Sequence, residues 1–569
     1  MTSPKLSILQ ISAFTRGTLC VLAAAFVGCN GPSSEGESAD PGGDAAAVGG
    51  AANGSTVGAG GATASQAGPP GRGGNTSFSG GVASVGVRAV GGSVTGAGGR
   101  IAADADEATT TAAGRATTTA AERTTTTAAE QATTTAAGGA ATGESRAATG
   151  ESRAATGESR AATGAGGATS GAGGTTGEGG NTSIDPDALF VAPDGTEGAA
   201  GTIDDPMTLN QAVGRVNPGQ TIYLRGGTYP SDSTIRLGTS GSNGSLINLR
   251  AYPLDSERPL FDFAAMSENS SNRGFILSGS HWHIYGIDVY KAGDNCMFVS
   301  GSNNTLEYST FFECADTGLQ LGGGAANNLI LNCDSYFNAD SSLENADGFA
   351  AKLDVGTGNK FVGCRAWNNL DDGWDGYLRP ANDVTTTYEN CWAMDNGRLK
   401  DGTVGAGDGN GFKTGGSDDK ALRHNAIYQS CISTGNVNDG FDHNSNRGSV
   451  TILNCAAHNN GSNINFGTSN IAASLTIKNT ISLGNNGGLN ATSTDITNNS
   501  WQNSLSATND DFVSVDAALL KSSRKSDGSL PDIEYLKLVP ASDLRNAGVD
   551  VGLSYSGSAP DIGPFESDE

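Results

Sequence analysis

A repeat of cysteine followed five residues later by asparagine constrains the fold of this chain more than any other feature. It occurs five times, and the intervals between successive cysteines are 31, 27, 40 and 24 residues, so the local spacing is constant while the repeat length varies. Self-similarity at a period of about 20 to 50 residues is typical of solenoids, in which each turn buries its inner face against its neighbours. The pairs are Cys333 and Asn338, Cys364 and Asn369, Cys391 and Asn396, Cys431 and Asn436, and Cys455 and Asn460, and we expect Thr480 with Asn485 to continue the series.

Apolar residues alternate in front of these cysteines, as in Leu329–Leu331 before Cys333, which predicts strands that end in turns. The pattern favours an all-β fold, a right-handed parallel β-helix. Its asparagines would form an internal ladder of side-chain amides, because buried polar groups without partners are costly. Its cysteines would form a parallel column of small side chains in the interior.

Four shorter segments share a second pattern, in which Asp or Asn is followed by Gly, an aromatic residue and a variable residue. Asp-Gly and Asn-Gly form tight turns, and the aromatic residue is a good strand former. Side chains alternate between the faces of a strand, so the fourth residue faces outward when the aromatic residue is buried. Lys413 would then lie between Asp375 and Asp442 on neighbouring turns, and a lysine beside several aspartates indicates a metal-assisted active site. The segments are Asp347–Ala350, Asp372–Asp375, Asn410–Lys413 and Asp439–Asp442.

The chain has nine cysteines, of which seven lie in the repeat region. Export from the cell would favour disulfides. However, seven is an odd number, no CxxC pair occurs, and the repeat assigns most of the seven to one interior column. We therefore expect these seven cysteines to be buried free thiols.

Residues 1–29 have the pattern of a bacterial signal peptide of the lipoprotein type. Lys5 and Arg16 precede an apolar run that is too short to cross a bilayer. The segment Phe26–Cys29 is similar to a lipobox, in which Cys29 becomes the lipidated first residue of the mature protein. We expect an exported monomer, secreted or on the cell surface, that is held to the outer membrane of a bacterium through this lipid anchor.

Residues 30–183 consist largely of Gly, Ala, Thr and Ser, with too little apolar surface to offset the entropy of ordering, which predicts a disordered linker. Residues 184–569 are expected to form one β-helix catalytic domain. This domain starts with a strand pattern near Leu189 and a short helical pattern at Met207–Val213. We expect the helix to cap the open end of the coil, where strand edges would otherwise be exposed.

The run Gly409–Gly416, together with Asp347–Phe349 and Asp371–Gly376, resembles polysaccharide lyase family 9, the pectate lyases of the PelL type. The resemblance covers the predicted β-helix and none of the linker. It implies calcium-dependent β-elimination of polygalacturonate, an acidic plant-type polysaccharide, with Lys413 as the catalytic base. The implied calcium ligands are Asp347, Asp371, Asp372 and Asp375.

The charge of the chain agrees with a metal-assisted reaction on an acidic polymer. With 33 basic and 59 acidic residues the net charge is -26, so a polyanion would be repelled unless a cation bridged protein and substrate. Asp carboxylates are hard oxygen ligands that suit Ca²⁺, which can neutralise a uronate carboxylate and stabilise the charge that develops when the C5 proton is removed. The same acidic balance argues against nucleic-acid binding.

The residues themselves leave three alternatives open. The protein could be a lyase for another uronate polymer such as rhamnogalacturonan. It could be a β-helix glycoside hydrolase that uses the Asp371 and Asp372 pair around a water molecule, or a non-catalytic cell-surface adhesin that binds polysaccharide. Arg423, in the turn after the lysine, is a candidate for binding a substrate carboxylate, whereas Asp439 and Asp442 are interpreted as turn residues.

Overall fold

The strands of this protein coil into a right-handed parallel β-helix, as the repeats predict. The computed structural model describes residues 184–568, so the predicted signal peptide, the linker and Cys29 lie outside the described residues. The described strands form three parallel sheets of twelve, ten and nine strands, and neighbours within a sheet come from successive turns of the coil. We refer to these as sheet 1, sheet 2 and sheet 3.

The bounds of the strands follow, each sheet being given in chain order. Sheet 1 contains Leu189–Thr196, Thr221–Leu224, Ile247–Ala251, Trp282–Tyr285, Thr305–Glu307, Leu329–Leu331, Asn359–Val362, Val384–Glu389, His424–Gln429, Ser449–Leu453, Ala472–Lys478 and Ala491–Thr497. Sheet 2 contains Gly227–Pro230, Pro259–Asp262, Asp288–Tyr290, Thr310–Phe312, Asp334–Tyr336, Arg365–Trp367, Trp392–Met394, Ile432–Thr434, Ala456–His458 and Ile481–Leu483. Sheet 3 contains Ile235–Leu237, Phe275–Leu277, Met297–Val299, Leu319–Leu321, Phe349–Ala351, Trp374–Asp375, Phe412–Lys413, Asp439–Asp442 and Ser462–Asn465.

Aromatic residues stack along the interior of sheet 3, at the third position of the Asp-Gly-aromatic segments. The rings of Phe349, Trp374, Phe412 and Phe441 are buried and stack in that order, with centroids 5.0, 4.8 and 5.1 Å apart. Burying such side chains is the main favourable term in folding. The stack therefore confirms that the four segments occupy equivalent positions on successive turns. Because side chains alternate along a strand, the residue after each ring faces away from the interior.

The predicted asparagine ladder is present. Nδ2 of Asn338 donates to Oδ1 of Asn369 at 2.9 Å, and the same bond continues through Asn396 and Asn436 to Asn460 at 3.0, 2.9 and 2.8 Å. Each amide thereby satisfies its neighbour, and all of these asparagines except the half-buried Asn460 are closed to water.

The prediction was wrong at the last step of the ladder. Asn485 is exposed, and Asn460 donates instead to Oδ1 of Asn463 at 3.2 Å. Thr480 does continue the cysteine column, because it is buried and its hydroxyl donates to the carbonyl two residues earlier, at Lys478.

The expectation of seven free thiols was also wrong. Cys296 and Cys314 form a disulfide, with their Cα atoms 5.6 Å apart, while the remaining five are free and buried. Cys314 occupies the ladder position one turn before Asn338, since its N–H donates to Asn338 Oδ1 at 3.1 Å. The odd number of cysteines suggested that all seven were free, but only the five later ones belong to the interior column. The free thiols are Cys333, Cys364, Cys391, Cys431 and Cys455.

A helix covers the N-terminal end of the coil, and a C-terminal segment packs along one of its sides. The predicted helix is present as Leu209–Arg215, and its Thr208 cap accepts the N–H of Gln211 at 3.3 Å. After sheet 1, the chain folds back over sheet 2 through two short 3-10 helices, Asn509–Asp511 and Ala517–Lys521. Within residues 184–568 no helix has the length and apolar character needed to span a membrane.

Candidate active site

The outward positions of sheet 3 bring the predicted lysine beside the predicted aspartates. Ala350, Asp375, Lys413 and Asp442 are paired in that order on four successive turns. Lys413 therefore lies between Asp375 and Asp442, as the sequence predicts. Loops cover this row, and only 7% of the Lys413 side chain is exposed.

The Asp or Asn at the start of each of the first three segments accepts a hydrogen bond from the next turn of the coil through Oδ1. Oδ1 of Asp347 accepts the N–H of Asp372 at 3.2 Å, Oδ1 of Asp372 accepts the N–H of Asn410 at 2.7 Å, and Asn410 does the same for Asp439 at 2.9 Å. Each of these bonds joins one turn of the coil to the next, so Oδ1 has a structural role. Oδ2 of Asp347 accepts the Thr317 hydroxyl at 3.0 Å and the Lys352 ammonium at 2.8 Å. Oδ2 of Asp372 faces the other charged groups of the site.

Three of the four predicted metal ligands form a compact buried group. Asp347, Asp371 and Asp372 each offer an oxygen, and these oxygens lie within 4.8 Å of one another. Burial raises the pKa of Asp372, and the neighbouring Asp371 carboxylate raises it further. Oδ2 of Asp372 is buried without a hydrogen-bond partner among the described residues. A hard divalent cation such as Ca²⁺ fits this set of oxygens. It would offset the repulsion between the three carboxylates and give the buried Asp372 Oδ2 a partner in place of water.

Lys413 is an ammonium held by carboxylates. Its Nζ lies 3.4 Å from Asp372 Oδ2 and 2.8 Å from Asp408 Oδ2. Burial alone would lower the pKa of Lys413, but the charges of Asp372, Asp375 and Asp408 outweigh it and hold the pKa well above its usual range. The protein's own carboxylates therefore keep this lysine protonated at neutral pH.

Asp375, the fourth predicted ligand, does not belong to the group of three oxygens. Its Oδ1 accepts the N–H of Tyr377 at 2.9 Å, and its Oδ2 lies 3.4 Å from the ammonium of Lys352. Burial would raise the pKa of Asp375, yet the nearby Lys413 and Lys352 lower it below its usual value. Asp375 is thus held ionised at the edge of the cluster.

The sequence motifs missed two residues of the site, Lys352 and Asp408. Lys352 follows Ala350 by two positions, so the alternation of a strand would have placed it on the same outward face. Asp408 lies in the loop before Lys413, and its N–H donates to Asp371 Oδ1. No local pattern indicates Asp408, because the path of this loop depends on contacts such as Ala406 N–H to Leu343 O at 2.8 Å.

Arg423 does not join the acidic cluster. It is exposed at the start of a sheet 1 strand and lines a separate cavity of about 630 Å³ with Arg447 and Asp419. A different cavity, of about 370 Å³, lies beside Lys413 on its C-terminal side, with polar walls that include Asp408 and Asp442.

Known proteins are similar to this chain in architecture and in sequence. A family model described as Pel9A-like, right handed beta helix region, matches residues 189–499. Pectate lyase L of Paenibacillus polymyxa (strain SC2) is 42% identical over 389 residues, which cover 64% of this chain and 84% of that protein.

Two solved structures are similar as well. The crystal structure of pectate lyase Pel9A aligns with a TM-score of 0.63 at 36% identity and covers 68% of this chain and 98% of its own. A rhamnogalacturonan lyase aligns with a TM-score of 0.55 at 27% identity and covers 62% of this chain and 96% of its own. The matched region contains the acidic cluster and Lys413, and the chain is a polysaccharide lyase that belongs to family 9, the Pel9A-like pectate lyases.

Proposed function

We propose that this protein cleaves polygalacturonate-type polysaccharide by calcium-dependent β-elimination, with Lys413 as the Brønsted base. One observation carries the proposal: the Lys413 amine lies 3.4 Å from Asp372, a member of the buried three-carboxylate group that fits a divalent cation. An amine and a metal site in contact are the two parts that this reaction needs. The proposed ligands are Asp347, Asp371 and Asp372, together with Asp375 from the edge of the group.

Elimination breaks the C4–O4 glycosidic bond of a uronate after a base removes the C5 proton. That proton is only weakly acidic, because the adjacent carboxylate is already an anion. When bound, Ca²⁺ would supply positive charge that neutralises this carboxylate and stabilises the enolate-like charge of the transition state. Lys413 would take the C5 proton, and the rigid pairing of its strand with those of Asp375 and Asp442 would hold it in place.

Lys413 can accept a proton only when it is neutral. A free lysine has a pKa of about 10.4, and the surrounding carboxylates raise the pKa of Lys413 above its usual range. The neutral fraction, and with it the rate, should therefore increase as the pH rises above neutrality. A calcium-dependent rate with an acidic optimum would contradict this role for Lys413.

The direct test compares the unmodified protein with Lys413→Met on polygalacturonate. Formation of the unsaturated uronide is followed by its ultraviolet absorbance, with calcium and with a chelator. We expect the variant to lose at least about a hundredfold in kcat, as is typical for removal of a general base, and the chelator to stop the unmodified enzyme. Lys360→Met is a matched control, because Lys360 pairs with Glu389 on sheet 1, away from the cluster. Saturated products would indicate a hydrolase, and binding without cleavage an adhesin.

Rhamnogalacturonan is a second candidate substrate. The structural similarity to a rhamnogalacturonan lyase favours it, and its galacturonate residues undergo the same elimination. A panel of acidic polysaccharides tested at one calcium concentration separates the two. Faster release of unsaturated product from rhamnogalacturonan than from polygalacturonate would select this alternative.

We also propose that the protein is exported and anchored through Cys29. The support comes from the basic residues, the short apolar run and the lipobox-like segment that ends at Cys29. Labelling of cells with a fatty-acid analogue should mark the unmodified protein and not Cys29→Ser. Equal labelling of both would exclude the anchor.

A further inference from the structure

Lys352 lies in the candidate active site without a role in the proposed elimination. It follows the strand Phe349–Ala351, one turn before Asp375. Its Nζ is 2.8 Å from Asp347 Oδ2 and 3.4 Å from Asp375 Oδ2, and 15% of its side chain is exposed. The ammonium therefore bridges two of the carboxylates proposed to hold calcium.

This bridge uses the oxygens that a metal ion would need. Oδ1 of Asp347 accepts the N–H of Asp372, and Oδ1 of Asp375 accepts the N–H of Tyr377. In both aspartates Oδ2 is the oxygen that faces the ammonium cation, and in Asp347 it also accepts the Thr317 hydroxyl at 3.0 Å. Because like charges at contact distance repel strongly where water is scarce, Lys352 and a divalent cation compete for Asp347 and Asp375.

Lys352 and Lys413 have separate partners. Lys413 contacts Asp372 and Asp408, whereas Lys352 contacts Asp347 and Asp375. An ammonium that leaves its carboxylates in a largely buried site needs another anion nearby, because an unpaired charge there is costly. A uronate polymer carries one carboxylate on each sugar and can supply that anion.

We propose that Lys352 is a substrate-binding residue, which leaves Asp347 and Asp375 when a divalent cation takes their oxygens and then pairs with a uronate carboxylate. This inference rests on the proposed function and deepens it. It also accounts for the position of Asp375 outside the group of three oxygens, since Lys352 holds the Asp375 carboxylate at the edge of the cluster.

The test uses the full chain with Lys352→Met and two measurements. Calcium affinity is measured by calorimetry without substrate, and we expect the variant to bind calcium at least about fivefold more tightly, because a competing charge has been removed. Steady-state kinetics on polygalacturonate at saturating calcium should show KM raised about tenfold with kcat changed much less. Lys352→Arg keeps the charge, so its calcium affinity should return to that of the unmodified protein and its KM should fall most of the way back. Lys360→Met again serves as the surface control.

The outcomes separate this inference from the proposed function. Unchanged or weaker calcium binding by Lys352→Met, with a lower melting temperature, would make Lys352 a structural counter-ion and overturn its role. Loss of kcat with an unchanged KM would move Lys352 into proton transfer and also overturn it. If the unmodified protein binds no calcium, the proposed function itself fails, and the competition fails with it.

Discussion

Replacement of Asn396 by alanine should destabilise the β-helix strongly, because this residue is a central member of the asparagine ladder. Its Oδ1 accepts the N–H and the Nδ2 of Asn369 at 3.2 and 3.0 Å, and its Nδ2 donates to Asn436 Oδ1 and Ala366 O at 2.9 and 3.3 Å. At about 1 kcal/mol net for each buried hydrogen bond, losing these contacts lowers the free energy of unfolding by about 4 kcal/mol. An unfolding entropy of about 2 cal/mol/K per residue over the β-helix converts this into a melting temperature roughly 5 °C lower.

Differential scanning calorimetry of the two proteins under identical conditions measures this shift. Asn485→Ala is the matched control, because the sequence repeat assigns Asn485 to the same ladder whereas the structure places its side chain in solvent. Substitutions at such exposed positions usually change the free energy of unfolding by no more than about 0.5 kcal/mol. If Asn396→Ala lowered the melting temperature by less than about 1 °C, or if Asn485→Ala lowered it equally, the ladder would not carry the stability assigned to it.

Three further outcomes are expected. Asp408→Asn removes an anion 2.8 Å from the amine of Lys413 and should shift the alkaline rise of kcat to lower pH by less than about one unit, since Asp408 is 59% exposed; an unchanged pH profile would contradict this. Burial would raise the pKa of Asp334, but Arg524 and Arg365 lower it below its usual value. Its stabilising charge is therefore present above about pH 4 and lost below it, so Asp334→Asn should lower the melting temperature at pH 7 and much less at pH 3. Reduction of the disulfide at Cys296, which joins residues 18 apart, should cost about 3 kcal/mol, and calorimetry with and without a reductant checks it.

Two aspartates contribute both to the stability of the coil and to the site, so an alanine substitution at either one affects both. Asp347 and Asp372 each accept a hydrogen bond from the next turn of the coil through Oδ1 and contribute to the cluster of carboxylates. Replacement of either by alanine would remove a turn contact as well as a metal ligand. Asp→Asn variants keep the Oδ1 acceptor and change only the charge, so they separate the two roles.

The sequence alone determined the repeating part of this protein. Side-chain alternation is a property of every strand, and the Asp-Gly-aromatic segments mark where each strand of sheet 3 begins. From these two facts followed the parallel β-helix, the buried ring stack, and the adjacency of Asp375, Lys413 and Asp442. The cysteine and asparagine repeat likewise predicted the ladder through Asn460, because equivalent positions on successive turns have to meet.

Only the tertiary structure decided the contacts that loops and single turns make. The pairing of Cys296 with Cys314, the exposure of Asn485 and the approach of Asp408 to Lys413 depend on how connections of different length fold, and no local pattern encodes those paths. The split of the carboxylates between a group of three and an Asp375 paired with Lys352 likewise arises from competition among charges in a confined space. Periodicity places residues on a face, but distances of a few ångströms between charged groups are set by everything that packs around them.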